Sequence, residues 1–202
     1  MTSEPATESR PQDLETRLQL IESMIAEGRQ TTSRWGWVFV LWGVAYYVAI
    51  LGTSVIHFAY AWPATMLAAG ILTSVLAARK TRGQPSTTMG RAISSIWIAM
   101  AVSMFVLFPA LGISGRIDQY ILISVASAML GMAYAASAIL LRWKVQFVCA
   151  VVWWANAAFA CFGRSAQVTA AFLTAIFICL FAFGIYGMIA DRQVHRREAR
   201  HA

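Results

Sequence analysis

Residues 92–113 read AISSIWIAMAVSMFVLFPALGI. Twenty-two residues pass without a Lys, Arg, Asp or Glu, and a helix of about 20 apolar residues spans the hydrocarbon core of a bilayer. A backbone in lipid must satisfy its own peptide groups, so a run of this kind is read as a transmembrane helix. The same pattern recurs at 35–57, 60–78, 120–141, 145–163 and 168–190, again without a charged residue. A transmembrane barrel would need alternating segments of about ten residues, and these runs do not alternate. Composition points the same way: 59% of the 202 residues are hydrophobic and 12% charged, where soluble domains carry about 25% charged residues.

The charges fall between the runs. Arg10, Arg17, Arg29 and Arg34 precede the first, and Arg79, Lys80, Arg82 and Arg91 separate the second from the third. Arg142 and Lys144 sit between the fourth and fifth, and Arg192, Arg196, Arg197 and Arg200 follow the sixth. Only Arg116 and Arg164 fall on the other side. The positive-inside rule then puts both termini in the cytoplasm. The expected fold is an all-α integral membrane protein with six transmembrane helices arranged as three hairpins, preceded by a short amphipathic helix. Its expected parts are a disordered tail (1–11), a cytoplasmic amphipathic helix (12–30), a six-helix transmembrane domain (35–190) and a basic cytoplasmic tail (191–202). The polar, acid-containing first 34 residues do not fit a cleavable signal peptide. The formal net charge of +7 is accounted for by these cytoplasmic flanks, which suit anionic headgroups, so no nucleic-acid partner is expected. The lipid bilayer is the expected partner throughout. A Trp early in each hairpin (Trp42, Trp97, Trp153 or Trp154) is compatible with a threefold repeat, although Trp is common near membrane interfaces.

Small residues at spacing four let membrane helices approach closely. Gly70, Ser74 and Ala78 in the second run, and Ser127, Gly131 and Ala135 in the fourth, are therefore expected at bundle seams or at a homodimer face. In the N-terminal segment QDLETRLQLIESMIAEGRQ (12–30), Leu14, Leu18, Ile21 and Ile25 form one helical stripe, widened by Leu20 and Met24. Gly28 is expected to weaken or end this helix. Its polar face is acidic (Asp13, Glu15, Glu22, Glu27), unlike the basic face of an interfacial membrane helix. The stripe should therefore bind protein: its own bundle's basic rim, a groove on a cytoplasmic or membrane partner, or a second copy.

The stretch IESMIAEGRQTTSRWGWVFVLWGVAYYVAIL resembles an uncharacterised family of bacterial six-helix inner-membrane proteins. The resemblance rests on Ile21 to Ile25 in a short amphipathic helix, a polar hinge, and a first span with the Leu41-Trp42-Gly43 core. It extends to the fourth span around Gly131 and to the Gly-x-x-Gly of FGIYGMIA, where the family often has a Pro-Gly that this chain lacks. It implies the architecture and a bacterial cytoplasmic (inner) membrane location. It carries over no activity, cofactor or catalytic residue.

Chemistry-bearing residues are few inside the runs. His57 lies near the outer end of the first, and with no second intramembrane histidine, bis-His haem ligation within one chain fails. No HExxH or Gly-x-Ser-x-Gly motif and no base for a serine is present, so neither an enzyme nor a cofactor or metal site is expected. Cys149, Cys161 and Cys179 lie in apolar runs without CxxC spacing and are read as packing residues. Asn156 stands out, in the middle of the fifth run. It either hydrogen-bonds a neighbouring helix or faces a cavity with Trp153 or Trp154 as a stacking wall. Two functions stay open: an accessory or regulatory protein acting through a partner on Leu14, Leu18, Ile21 and Ile25, or a small transporter or binder of an apolar solute or lipid near Asn156.

Overall fold

A computed structural model describes residues 9–57, 60–80, 87–115 and 118–201, with side chains from 15 to 193 among them. The expected tail at 1–11 falls largely outside the described residues, and so do residues 81–86, Arg116, and the side chains of Leu14 and of the basic residues 196, 197 and 200. The described chain is helical apart from short turns, and no strand occurs in it. In order, the helices are α1 (Ser9–Arg34), α2 (Gly36–Ser54), α3 (Ala61–Lys80), α4 (Thr88–Ile113), α5 (Gln119–Leu141), α6 (Lys144–Ala160), α7 (Ser165–Ile176) and α8 (Phe183–His201). A π-helical segment, Phe177–Ala182, joins α7 to α8 without a break. Among the described residues, five helical stretches are long and apolar enough to cross a membrane, and α6, at 17 residues, is a shorter apolar helix. This architecture fits a helical membrane protein.

Several boundaries differ from the sequence expectation, and α1 begins at Ser9, inside the stretch expected as a disordered tail. The amphipathic helix does not end near residue 30. It runs to Arg34, because Thr31 and Thr32 return their hydroxyls to the carbonyls of Glu27 and Gly28 and so do not compete with the helix. Only Trp35, at φ −89° and ψ 6°, separates α1 from α2. Gly28 is no helix breaker. A Cβ there would lie 2.6 Å from Leu141 Cδ2 and 2.7 Å from Met89 Cγ, so the missing side chain lets α1 lie against the ends of α4 and α5. At the other end, the basic tail continues α8 as a helix to His201.

The most extensive interface is between α5 and α6, an antiparallel pair closed by the Arg142–Trp143 turn. Asn156 bonds to Ser127, and Ser124 to the carbonyl of Ala157. Carrying the Asn156–Ser127 register along the pair brings Leu130 level with Trp153, Tyr134 with Cys149, and Ser137 with Gln146. All eight residues are buried. Their alternating spacings of three and four are those of a coiled-coil seam. Ser127, Gly131 and Ala135 are buried on α5 as their spacing predicts. The corresponding stripe on α3 is not a seam. Ser74 and Ala78 are exposed, while Ala61 and Ala69 are buried instead. Ser74 donates to the carbonyl of Gly70 within its own helix and needs no neighbour.

A second seam joins α2 to the end of the chain. A Cβ on Gly184 would meet the Gly36 carbonyl oxygen at 2.7 Å, and one on Gly36 would meet the Gly184 carbonyl oxygen at 2.6 Å. Two turns further along α2, a Cβ on Gly43 would meet the Phe181 ring at 2.9 Å. Between these contacts Phe39 gathers the core: its ring lies 5.2 Å from those of Trp97 and Phe183 and 5.7 Å from that of Tyr134. The Tyr134 hydroxyl donates to the Cys179 carbonyl at 2.6 Å, inside the π-helical segment. By contrast, only 11% of the most apolar window of α3 and 6% of that of α4 is buried in protein, against 56% for α5. Those two helices offer most of their apolar surface to the surroundings.

Because the Gly36–Gly184 contact is backbone on backbone, Gly184→Val is expected to lower unfolding stability in detergent by about 1–3 kcal/mol. Gly70→Ala, whose Cβ would sit 3.7 Å from the Phe105 ring, should leave it unchanged. Thermal unfolding of the two variants beside the parent checks both. Equal stability of all three would show that the glycine crossing carries no such constraint.

Candidate functional site

Two places combine polar groups with a defined apolar setting. The first lies inside the α5–α6 seam. Asn156 is 6% exposed and donates through Nδ2 to Ser127 Oγ at 2.8 Å. Trp153 is fully buried, its ring 6.0 Å edge-on from that of Phe172. Trp154 points elsewhere. It is 42% exposed and packs on Gly131, whose bare Cα accommodates the indole. Of the two rings, Trp153 shares the buried face of α6 with Asn156, and Trp154 does not. The amide bridges two helices.

Gln146, which the sequence reading passed over, is 0% exposed, and neither Nε2 nor Oε1 has a hydrogen-bond partner among the described residues. Asn156 Oδ1, Trp153 Nε1 and Ser137 Oγ are likewise without one. The signal was present: Gln146 is the only carboxamide besides Asn156 in the fifth apolar run. Cys149 and Cys179 are both buried, with Cys179 Sγ 3.6 Å from the Cys149 carbonyl. Cys161 is exposed. His57 is exposed too, in the turn after α2, at φ 55°.

The second place is where α1 meets the α5–α6 corner. Helix α5 ends in a left-handed residue, Arg142 at φ 49° and ψ 40°, and Trp143 N–H returns to the Ala138 carbonyl at 2.9 Å. This turn leaves the last carbonyls of α5 open. Arg29 closes them, with Nε on the Leu141 carbonyl at 2.7 Å and Nη2 on the Arg142 carbonyl at 2.6 Å. A cation at a helix C-terminus is also favoured by the helix dipole. Arg29 and Gly28 thus fasten α1 to the bundle near its C-terminal end. Arg34 Nε lies 3.6 Å from Asp191 Oδ1 on α8.

Of the expected partner-binding stripe, Ile25 is half-buried at this junction, whereas Leu18 (61%), Leu20 (61%) and Ile21 (53%) are exposed. The side chain of Leu14 lies outside the described residues. Between α1 and the corner runs an open groove of about 730 Å³, bordered by Ile25, Ile139, Arg142, Lys144, Phe147 and Val148 among others.

No family model matches the chain, and no curated protein or solved structure matches it.

The two seam amides differ in sign. Asn156→Leu and Ser127→Ala should each lower stability by about 0.6 kcal/mol, with the double variant losing no more than either alone, since all remove one interhelical bond. Gln146→Leu should hold stability or raise it, because it deletes a buried amide that has no partner. Chemical unfolding in micelles measures all four. A clear loss for Gln146→Leu would show that this amide is satisfied in the native protein.

Proposed function

We propose that the chain is a six-span protein of a bacterial cytoplasmic membrane, both termini cytoplasmic, that acts by binding a protein partner through α1 and not by catalysis. The five long apolar helices support the membrane reading. Helix α6, at about 26 Å by helical rise, lies at the short end of what crosses a bilayer. The distribution of Arg and Lys supports the orientation. The resemblance of the region around Leu41, Trp42 and Gly43 to bacterial six-helix inner-membrane proteins supports the compartment.

The observation that carries the function is the way α1 is held. Its C-terminal end is fastened by Arg29 and Gly28, yet Leu18 and Ile21, neighbours on the stripe further up the helix, are more than half exposed. Leaving such side chains in water forfeits up to about 1.5–3 kcal/mol apiece, and a rigid helix presenting them suits a groove on another protein. The acidic residues Glu15, Glu22 and Glu27 beside the stripe favour a partner with an apolar floor and a basic rim, and disfavour an anionic membrane surface. The solute-binding alternative has less support, because the Asn156 N–H already serves Ser127 and Trp153 is enclosed.

Replacing Leu18 and Ile21 together by Glu tests the reading while leaving the Arg29 fastening intact. In-cell crosslinking followed by mass spectrometry should show one partner, or a second copy of the chain, held by the parent and lost from the variant at equal membrane levels. A crosslinked species held equally by both would overturn the role of the stripe.

A further inference from the structure

The groove beside α1 has a chemistry that a protein partner on Leu18 and Ile21 does not use. At its rim stand three cations, Arg29, Arg142 and Lys144, against one anion, Glu22. Arg29 is committed to the carbonyls of Leu141 and Arg142. Arg142 and Lys144 are exposed. Their backbone is held in place by the left-handed turn and its hydrogen bonds. From this charged rim the walls continue as apolar surface: Ile139 on α5, then Phe147 and Val148 on α6, all exposed. The groove is therefore cationic at one end and hydrocarbon-like along its length. Its volume falls within the range that ligand sites occupy.

We propose that this groove holds an anionic phospholipid, with its phosphate on Arg142 and Lys144 and an acyl chain along Ile139, Phe147 and Val148. Basic recesses between helices at the cytoplasmic face of a membrane suit such headgroups. A free anion would leave the apolar walls unused, and a neutral apolar solute would leave two cations unmatched. The assignment rests on reading α5 and α6 as membrane spans, which makes the Arg142–Lys144 corner the border between lipid and water.

The test uses the full chain, reconstituted in phosphatidylcholine vesicles and then extracted with its retained lipid for native mass spectrometry. Dimyristoyl phosphatidylglycerol and dimyristoyl phosphatidylcholine compete at equal concentration. The parent should retain the phosphatidylglycerol at least about tenfold more readily, and Arg142→Gly with Lys144→Gln should abolish that preference. Glycine takes the left-handed conformation of residue 142 without strain, so the double variant should keep its unfolding midpoint in phosphatidylcholine. Lys144→Gln alone, expected to lose part of the preference, covers the case in which the double variant misfolds. Equal retention of both lipids by the parent, or a preference untouched in the variants, overturns the site. Displacement of the lipid by millimolar inorganic phosphate would also overturn it, in favour of a plain anion site. A parent chain that washes off the vesicles with alkaline carbonate would sink the membrane reading itself. Firm insertion without lipid preference sinks only this inference.

Discussion

In a bilayer, apolar side chains gain nothing by leaving lipid for a protein interior, so helices associate through close packing and polar contacts. The seam between α5 and α6 meets that requirement, and several further contacts lean on it. One side of α6 receives the π-helical segment and α7. The C-terminal carbonyls of α5 are the platform that Arg29 grips. Phe39 and Phe183 reach the pair through Tyr134. Small residues on α5 (Ser127, Gly131, Ala135) bring the helices together, and the Asn156–Ser127 bond fixes their register.

What was legible in the sequence is what depends on a single helix. An unbroken apolar run declares itself because length and the absence of charge are local properties, so the apolar helices were found with boundaries wrong by a few residues. The stripe on α1 was legible for the same reason, and so was the choice open to Asn156. What was not legible depends on the neighbour. Gly28 was expected to end a helix and Gly70 to line a seam, and the neighbours reverse both. One sits under Leu141 and Met89, and the other faces only the distant tip of Phe105. Gln146 passed for an ordinary residue at the edge of a span until the fold enclosed it. The cap on α5 pairs residues more than a hundred positions apart, and no spacing rule links Arg29 to Leu141. The π-helical segment adds one residue per turn for a small local cost, with no residue type that announces it.

The chain also divides its helices by how they are held. Helices α2, α5, α6 and the α7–α8 rod share a core of aromatic and small side chains. Helices α3 and α4 are each fastened mainly along one side, α3 to α2 and α4 to α5 and α1. Thr87 caps α4 by accepting the Gly90 N–H at 3.1 Å, which secures its start while most of its length stays uncovered. Their side chains are chosen for solubility in hydrocarbon more than for fit to a protein neighbour.

The single residue between α1 and α2 has a mechanical consequence. A helix of 26 residues is a rod of about 39 Å, and Trp35 leaves no slack between it and α2. Its fulcrum is close to one end, at Gly28 and Arg29, so the long arm carries Leu18 and Ile21 while the short arm leads straight into the Gly36–Gly184 crossing. The short arm also packs on α8, where Arg34 meets Asp191, so the end of α1, the start of α2 and the Gly36–Gly184 crossing form one continuous joint with no loop between them.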